Sequence, residues 1–262
     1  MGSATTQALA ASTQALAAAK GVTLDTAAEF FSAARSIEEA PQLSGALADS
    51  TAPATARAAL IATVFASSSA TVREVLAVAV AQRWSSASDL IDGIEELAIR
   101  AASESASSVD LEEELFEITR LIASNSELEL ALGGRFGDGA TRGALIEKVL
   151  DGKSSPAATL IVSSLVRQPR GRRIRQMLDR AMQIVSAQRD RVVATVHTAT
   201  LLTAAQRARL SDSLARRYGA KVMLNQVIDP TVVGGLRVQI ADDVIDGSIS
   251  ARLADLRQKL AG

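Results

Sequence analysis

Five groups of residues have types and spacing that could do chemistry. Gly152-Lys153-Ser154 ends like a nucleotide-binding loop, in which glycine backbone cradles phosphate while the lysine and hydroxyl complete the site. Gly234-Gly235 sits between an apolar run and an Asp-Gly-Ser turn, another arrangement that could bring backbone N–H groups to an anion. Arg167, Arg170, Arg172, Arg173 and Arg175 form a basic cluster, His197 is a candidate base, and Glu112, Glu113 and Glu114 are candidate acids.

Local context argues against each. Position 147 must be glycine in a phosphate loop and is Glu147, and the preceding LIEKVL reads as helix rather than strand, so Gly152 is a helix stop followed by a cap. The Gly234-Gly235 pair leads into a strand, and Asp242, Asp243 and Asp246 stand before the next helix, where they would repel phosphate. That stretch reads as a corner: Pro230 fixes a turn, the glycines permit a bulge or close packing, Asp246-Gly247 turns the chain and Ser248 caps the last helix. The arginine cluster lacks stacking aromatics and a wide basic face, so it reads as a solvated turn or as a contact for an acidic partner helix, and no nucleic acid is expected. His197 has no second histidine or serine nucleophile motif, and the three glutamates sit at a helix start, where they complement the dipole. No catalytic residue, cofactor or metal is expected.

The elements that carry these residues follow from composition and period. Of 262 residues, 48% are hydrophobic but only 3% aromatic, and Ala, Leu, Val and Ile dominate, the palette of packed helices. Lys plus Arg number 28 against 29 Asp plus Glu, so no net field draws the chain to nucleic acid or an anionic membrane. There is no cysteine. The first residues do not resemble a signal peptide, and the densest apolar run, VLAVAVA at Val75 to Ala81, is too short to span a bilayer, so the reading is a soluble protein without direct transmembrane contact.

Shifting the chain by 85 residues lays it over itself without a gap. Phe31 meets Phe116, Arg35 meets Arg120, Ile37 meets Ile122 and Leu43 meets Leu128. Ala46-Leu47 meets Ala131-Leu132, Arg57 meets Arg142, Ala59-Leu60-Ile61 meets Ala144-Leu145-Ile146, and Val64 meets Val149. Composition would match alanine to alanine, not Phe, Arg and Ile in register, so the reading is a duplicated module of short helices. Pro41, Pro53 and Pro156 stand at helix starts, and the segment 88–108 is a long helix that closes the first bundle and opens the second. Trp84 is expected to pack between helices. After Arg191 the alternating RVVATVHTA predicts a strand. A helix follows, capped by Thr203 and stopped at Gly219, then KVMLNQVID as a second strand, GLRVQIADDVIDG as a third strand with its turn, and a last helix from Ser248 to Leu260. The expected fold is mostly α, α+β overall: tandem bundles over 1–107 and 108–190, then an α+β domain over 191–262 with a three-stranded sheet.

DPTVVGGLRVQIADDVIDGSISARLADL resembles the C-terminal signature of the delta subunit of bacterial F-type ATP synthases, relatives of the oligomycin-sensitivity-conferring protein. The matching residues are Asp229, Gly234, Gly235, Asp246, Gly247, Ser248, Arg252 and Leu253. The family usually has glycine where Ala241 stands, and one N-terminal bundle where this chain has two copies. The resemblance implies a non-catalytic peripheral-stalk subunit on the cytoplasmic face of the bacterial cell membrane, holding N-terminal segments of the alpha subunits and C-terminal helices of the b subunits. It also implies that the groove between the first and fifth helices receives the alpha segment, which in copy one means Leu9, Ser12, Leu16, Val72, Leu76 and Val80. The last helix is the candidate surface for b. An adaptor that binds amphipathic helices outside the ATP synthase fits the same bundles.

Overall fold

The computed structural model describes residues 2–133, 138–189, 191–219, 221–240 and 243–249. The chain forms two compact units, Met1–Val185 and Ser186–Gly262.

The first unit is helical: α1 (Ser3–Ala18), α2 (Leu24–Glu39), α3 (Pro41–Ala48), α4 (Ala54–Val64), α5 (Ala70–Ala81), α6 (Ala87–Ser105), α7 (Leu111–Ser124), α8 (Ser126–Gly133), α9 (Gly139–Leu150) and α10 (Pro156–Arg167), with α11 (Ile174–Gln188) beginning inside it. Local signals set the ends. Thr23 and Thr26 form a capping box at α2, Ser69 and Ser155 cap α5 and α10, and Pro41 and Pro156 occupy the first turns of α3 and α10, where a missing N–H costs nothing.

The sequence repeat is a repeat of structure. Helices α3 and α4 start at Pro41 and Ala54, and α8 and α9 start 85 residues later at Ser126 and Gly139. Helix α9 has 12 residues against 11 in α4, so the fifth helices are offset by 86. Two tertiary hydrogen-bond motifs recur with the repeat. Glu29 on α2 accepts from the backbone N–H and hydroxyl of Ser69, both at 2.8 Å, and Glu114 on α7 accepts from the same two groups of Ser155. Arg57 on α4 donates to the last carbonyls of α5, at Val80, Ala81 and Gln82, and Arg142 on α9 donates to Val166 at the end of α10 at 3.0 Å. Each pair satisfies orphan groups at one end of a fifth helix, the N–H groups by a carboxylate and the carbonyls by a guanidinium.

Helix α6 belongs to both copies. It packs on α1, α2, α3 and α5 and also on α10. Twelve of its residues are buried, including Leu90, Ile94, Leu97 and Ala101 on its apolar side and also Glu95 and Glu96. One continuous apolar core therefore runs through both copies, from Ala8 and Leu16 to Leu178 and Val185. Trp84 lies in it, its indole N–H donating to the Ala79 carbonyl at 2.8 Å. Gly93 makes room for the ring: a Cβ there would sit 2.2 Å from Trp84 Cη2.

The buried carboxylates of α6 are met by the arginine loop, so Arg170 and Arg172 do not form a solvated turn, and the acidic helix that they meet is the chain's own rather than a partner's. Arg172 N–H closes onto the Pro169 carbonyl at 2.9 Å, and both central residues of this turn have positive φ, 50° at Arg170 and 73° at Gly171. Left-handed backbone costs a non-glycine residue about 1–2 kcal/mol. Here it aims two guanidiniums inward: Arg170 pairs with Glu95 at 2.9 Å and also with Asp92 and, on α2, Glu38, while Arg172 holds Glu95 at 2.6 Å. Glu96 is shared by Arg100 at 2.7 Å and Arg180 of α11 at 3.6 Å. Burial opposes the Arg172 charge, but the Glu95 hydrogen bond and the neighbouring carboxylates more than offset it and raise its pKa. Burial raises the Glu38 pKa, with Arg170 pulling the other way.

The second unit contains β1 (Arg191–Thr198), α12 (Ala204–Tyr218), β2 (Lys221–Ile228), β3 (Arg237–Ile240) and β4 (Asp243–Asp246). The sheet order is β2-β1-β3-β4, with β1 parallel to β2 across the α12 crossover and antiparallel to β3. Thr203 and Gln206 make a capping box at the start of α12, and Gly219, at φ 68°, stops it. Ala194, Val196, Leu214, Leu224, Val238 and Ile240 are buried in its core. The sheet has four strands rather than three because β3 and β4 pair as a hairpin where the sequence reads one strand and its turn. Four residues with aspartate at each end give β4 almost no alternation to detect, and such short, charged edges resist adding a further strand.

Three variants test this packing by urea unfolding of the full chain. Arg57→Ala is expected to cost about 2–3 kcal/mol by orphaning buried carbonyls. Glu95→Gln is expected to cost about 3 kcal/mol at pH 7, because it leaves two inward guanidiniums short of their partner. Glu38→Gln should behave oppositely. A carboxyl whose pKa is raised on folding contributes stability below its unfolded pKa and loses it as pH rises through the folded value, so at pH 7 the glutamine variant should be at least as stable as the parent. That relative gain should vanish below the ordinary glutamate pKa.

Candidate functional site

The six residues assigned to a helix-binding groove meet at the seam where α1 packs on α5. Ser12, Leu16, Val72, Leu76 and Val80 are fully buried there, and Leu9 is half-buried. The Ser12 hydroxyl donates back to the Ala8 carbonyl at 2.7 Å, which lets a polar residue sit at a fully buried position. The start of α1 is tied to the α5–α6 turn, since Thr5 Oγ1 donates to Ser85 Oγ at 2.9 Å and accepts from the Ser85 N–H at 3.2 Å. Five of the six residues therefore hold α1 onto α5 from beneath, and of the set Leu9 is the side chain that reaches the surface. The residues assigned to the groove thus lie mostly on the inner face of this seam, because an apolar stripe read from sequence cannot separate a groove's floor from the packing under it.

The C-terminal signature forms a built corner. Asp229 accepts from the Thr231 N–H at 2.9 Å and hydroxyl at 2.6 Å, while its own N–H donates to the Thr198 carbonyl at 2.8 Å. Gly234 and Gly235 have φ of 66° and 78°. The chain from Gly247 passes directly across them: the Gly247 N–H donates to the Leu236 carbonyl at 2.9 Å and the Ile249 N–H to the Gly234 carbonyl at 3.2 Å. A Cβ on Gly235 would lie 2.4 Å from the Gly247 oxygen, so any side chain there would collide with backbone. Asp246 accepts from the Ser248 N–H at 2.9 Å. Hydrogen bonds from the Thr231 side chain and backbone hold the Asp229 pKa below the ordinary aspartate value, and those from Ser248 do the same for Asp246. The N–H groups of Thr231, Val232, Gly247, Ser248 and Ile249 in this corner are spent on the chain itself. Arg252, Leu253 and the last predicted helix beyond Ile249 lie outside the described residues.

The remaining candidates have structural places. Gly152, at φ 66°, ends α9 in a turn, and Ser155 caps the next helix. His197 lies on β1 with Nδ1 3.9 Å from an Asp229 carboxylate oxygen. Asp110 caps α7, and Glu112, Glu113 and Glu114 occupy its first turn. Among the described residues no cluster of His, Cys, Asp and Glu could hold a metal ion, and no helix is long and apolar enough to cross a membrane. The described geometry comprises a two-copy helical unit with an α1–α5 seam and a small sheet unit with a glycine corner.

A family model described as ATP synthase delta (OSCP) subunit matches residues 98–260. The ATP synthase subunit delta of Leifsonia xyli is 46% identical over 100% of both chains. That of Nocardia farcinica is 40% identical over 94% of this chain and 93% of its own, and that of Streptomyces avermitilis 41% over 70% and 68%. A chain in the Toxoplasma gondii mitochondrial ATP synthase hexamer aligns with 64% of this chain and 97% of its own at a TM-score of 0.38 and 17% identity, too distant to bear on fold or function. A family match over more than half of the chain, with a relative 46% identical along its full length, places the chain in the ATP synthase delta (OSCP) subunit family.

Proposed function

We infer that the chain is the peripheral-stalk subunit of an F-type ATP synthase, a stator that keeps the catalytic head from turning with the rotor. The observation that carries this reading is its match with ATP synthase delta subunits along its whole length. As a stator it has no chemistry of its own to perform. It works on the cytoplasmic face of the bacterial cell membrane as a peripheral part of the complex, with the alpha subunits of the head and the b subunits of the stalk as partners.

The partner segments are an N-terminal helix of alpha and the C-terminal helices of b. An amphipathic helix binds by laying its apolar stripe in a groove between two helices. The α1–α5 seam offers such a groove to alpha: its inner residues fix the spacing of the two helices, and Leu9 supplies a surface contact. The second unit is the candidate for b. The ion pairs that join the arginine loop to α6 and α2 suit a part that must bear torque without the copies shifting.

Calorimetric titration of the full chain with a peptide from the N-terminus of the cognate alpha subunit tests the assignment. Binding is expected, with Leu9→Asp weakening it about tenfold or more while the melting temperature holds. Unchanged affinity in a folded Leu9→Asp variant removes the seam from the account, and failure of the parent chain to bind removes alpha as its partner.

A further inference from the structure

The two copies differ on one face. In copy two a furrow runs between α7, the α9–α10 turn and the outer side of α10, made of cavities of about 510 Å³ and about 200 Å³ that share Leu150 and Ser154. Its lining is apolar at Ile118, Leu121, Leu150 and Leu160 and acidic at Glu114, Glu117, Glu147 and Asp151, with Lys153 the opposing charge in the lining. Glu147 also pairs with Arg167 at 2.7 Å, and Glu114 is anchored by its two bonds from Ser155.

Copy one carries a long side chain at the equivalent place. There Arg73 on α5 turns back over the α4–α5 turn and donates to the carbonyls of Ala66, at 3.2 Å, and Ser68. Copy two has Thr159 at that position, whose hydroxyl reaches only to Ser154 at 2.9 Å, so no long side chain covers the turn. Four exchanges in the lining share one sense, against Lys153, which stands where copy one has serine. Leu121 replaces Ser36 and Leu160 replaces Glu74, which adds apolar lining, while Glu117 replaces Ser32 and Glu147 replaces Ala62, which adds negative charge. Leu121 remains 39% exposed. A merely solvated face gains nothing from serine becoming leucine, and a packed face gains nothing from added carboxylates. The two together fit an apolar strip with a charged border, the pattern of a surface that another chain covers.

We propose that this furrow docks an amphipathic helix whose polar face is basic. Its apolar residues would cover Leu121, Leu150 and Leu160, and its lysines or arginines would face Glu117, Glu147 and Asp151. The negative rim disfavours nucleic acid and anionic lipid. The site involves none of the six seam residues, so it does not stand or fall with the alpha assignment.

The test uses the full chain and two fluorescent peptides of about 18 residues, long enough to span a furrow of this kind as a helix. They share one leucine stripe, and the polar face is lysine in one and glutamate in the other; binding is read by anisotropy. The lysine peptide is expected to bind at least about tenfold more tightly than the glutamate peptide and to weaken as salt is raised. Two variants restore copy-one residues, Leu121→Ser alone and Thr159→Arg with Leu160→Glu, and each should lower lysine-peptide affinity about tenfold, with melting temperature checked in parallel. Leu9→Asp should leave it unchanged. Equal binding of the two peptides, no binding of either, full affinity in a folded Leu121→Ser variant, or loss of binding in Leu9→Asp each overturns the proposal.

Discussion

A helix that serves two bundles has no solvent face to spare. Helix α6 is packed by copy one on one side and copy two on the other, yet its sequence carries Asp92, Glu95 and Glu96. Charges in such a place are tolerated only when paired, because desolvation costs several kcal/mol per ion. Apart from Arg100 on α6 itself, the arginines that pair them come from the α10–α11 loop and from α11, so the helical unit is complete only when both copies are in place. Left-handed backbone at Arg170 is part of what this arrangement requires.

Around that helix the duplication was kept where packing demanded it and relaxed where surface allowed it. Glu29 and Glu114, and Arg57 and Arg142, do the same work 85 residues apart, since each fifth helix needs its N–H groups and carbonyls satisfied. The exposed positions went separate ways: Leu130, 76% exposed on α8, stands where copy one has Gly45, and Thr159 stands where copy one has Arg73. Two copies with one interior and two different surfaces suit a chain whose work is to hold several partners at fixed spacing.

Much of this was legible in the sequence, for physical reasons. The repeat was visible because Phe, Arg and Ile matched in register, and helix starts because proline, serine and threonine act locally. The glycine corner was readable because positive φ and close backbone approach both exclude side chains. What escaped depended on distant partners. Nothing near Arg170 says that Glu95, 75 residues away, lies beneath it. β4 exists because β3 is beside it, and five of the six groove residues turned out to be the floor of a packed seam because burial is a property of both helices together. Trp84 was read as packed, and Gly93 is the tertiary reason that it can be.

The central claim is that this chain couples the head of an ATP synthase to its stalk. The most direct test is add-back to membrane vesicles carrying the cognate enzyme from which the chain has been removed, with ATP hydrolysis and proton uptake measured together. The account predicts that stripped vesicles hydrolyse ATP with little proton uptake, and that the purified chain restores uptake while its Leu9→Asp variant does so poorly. Full proton uptake in vesicles that lack the chain, or no recovery when the folded chain is returned, would contradict it.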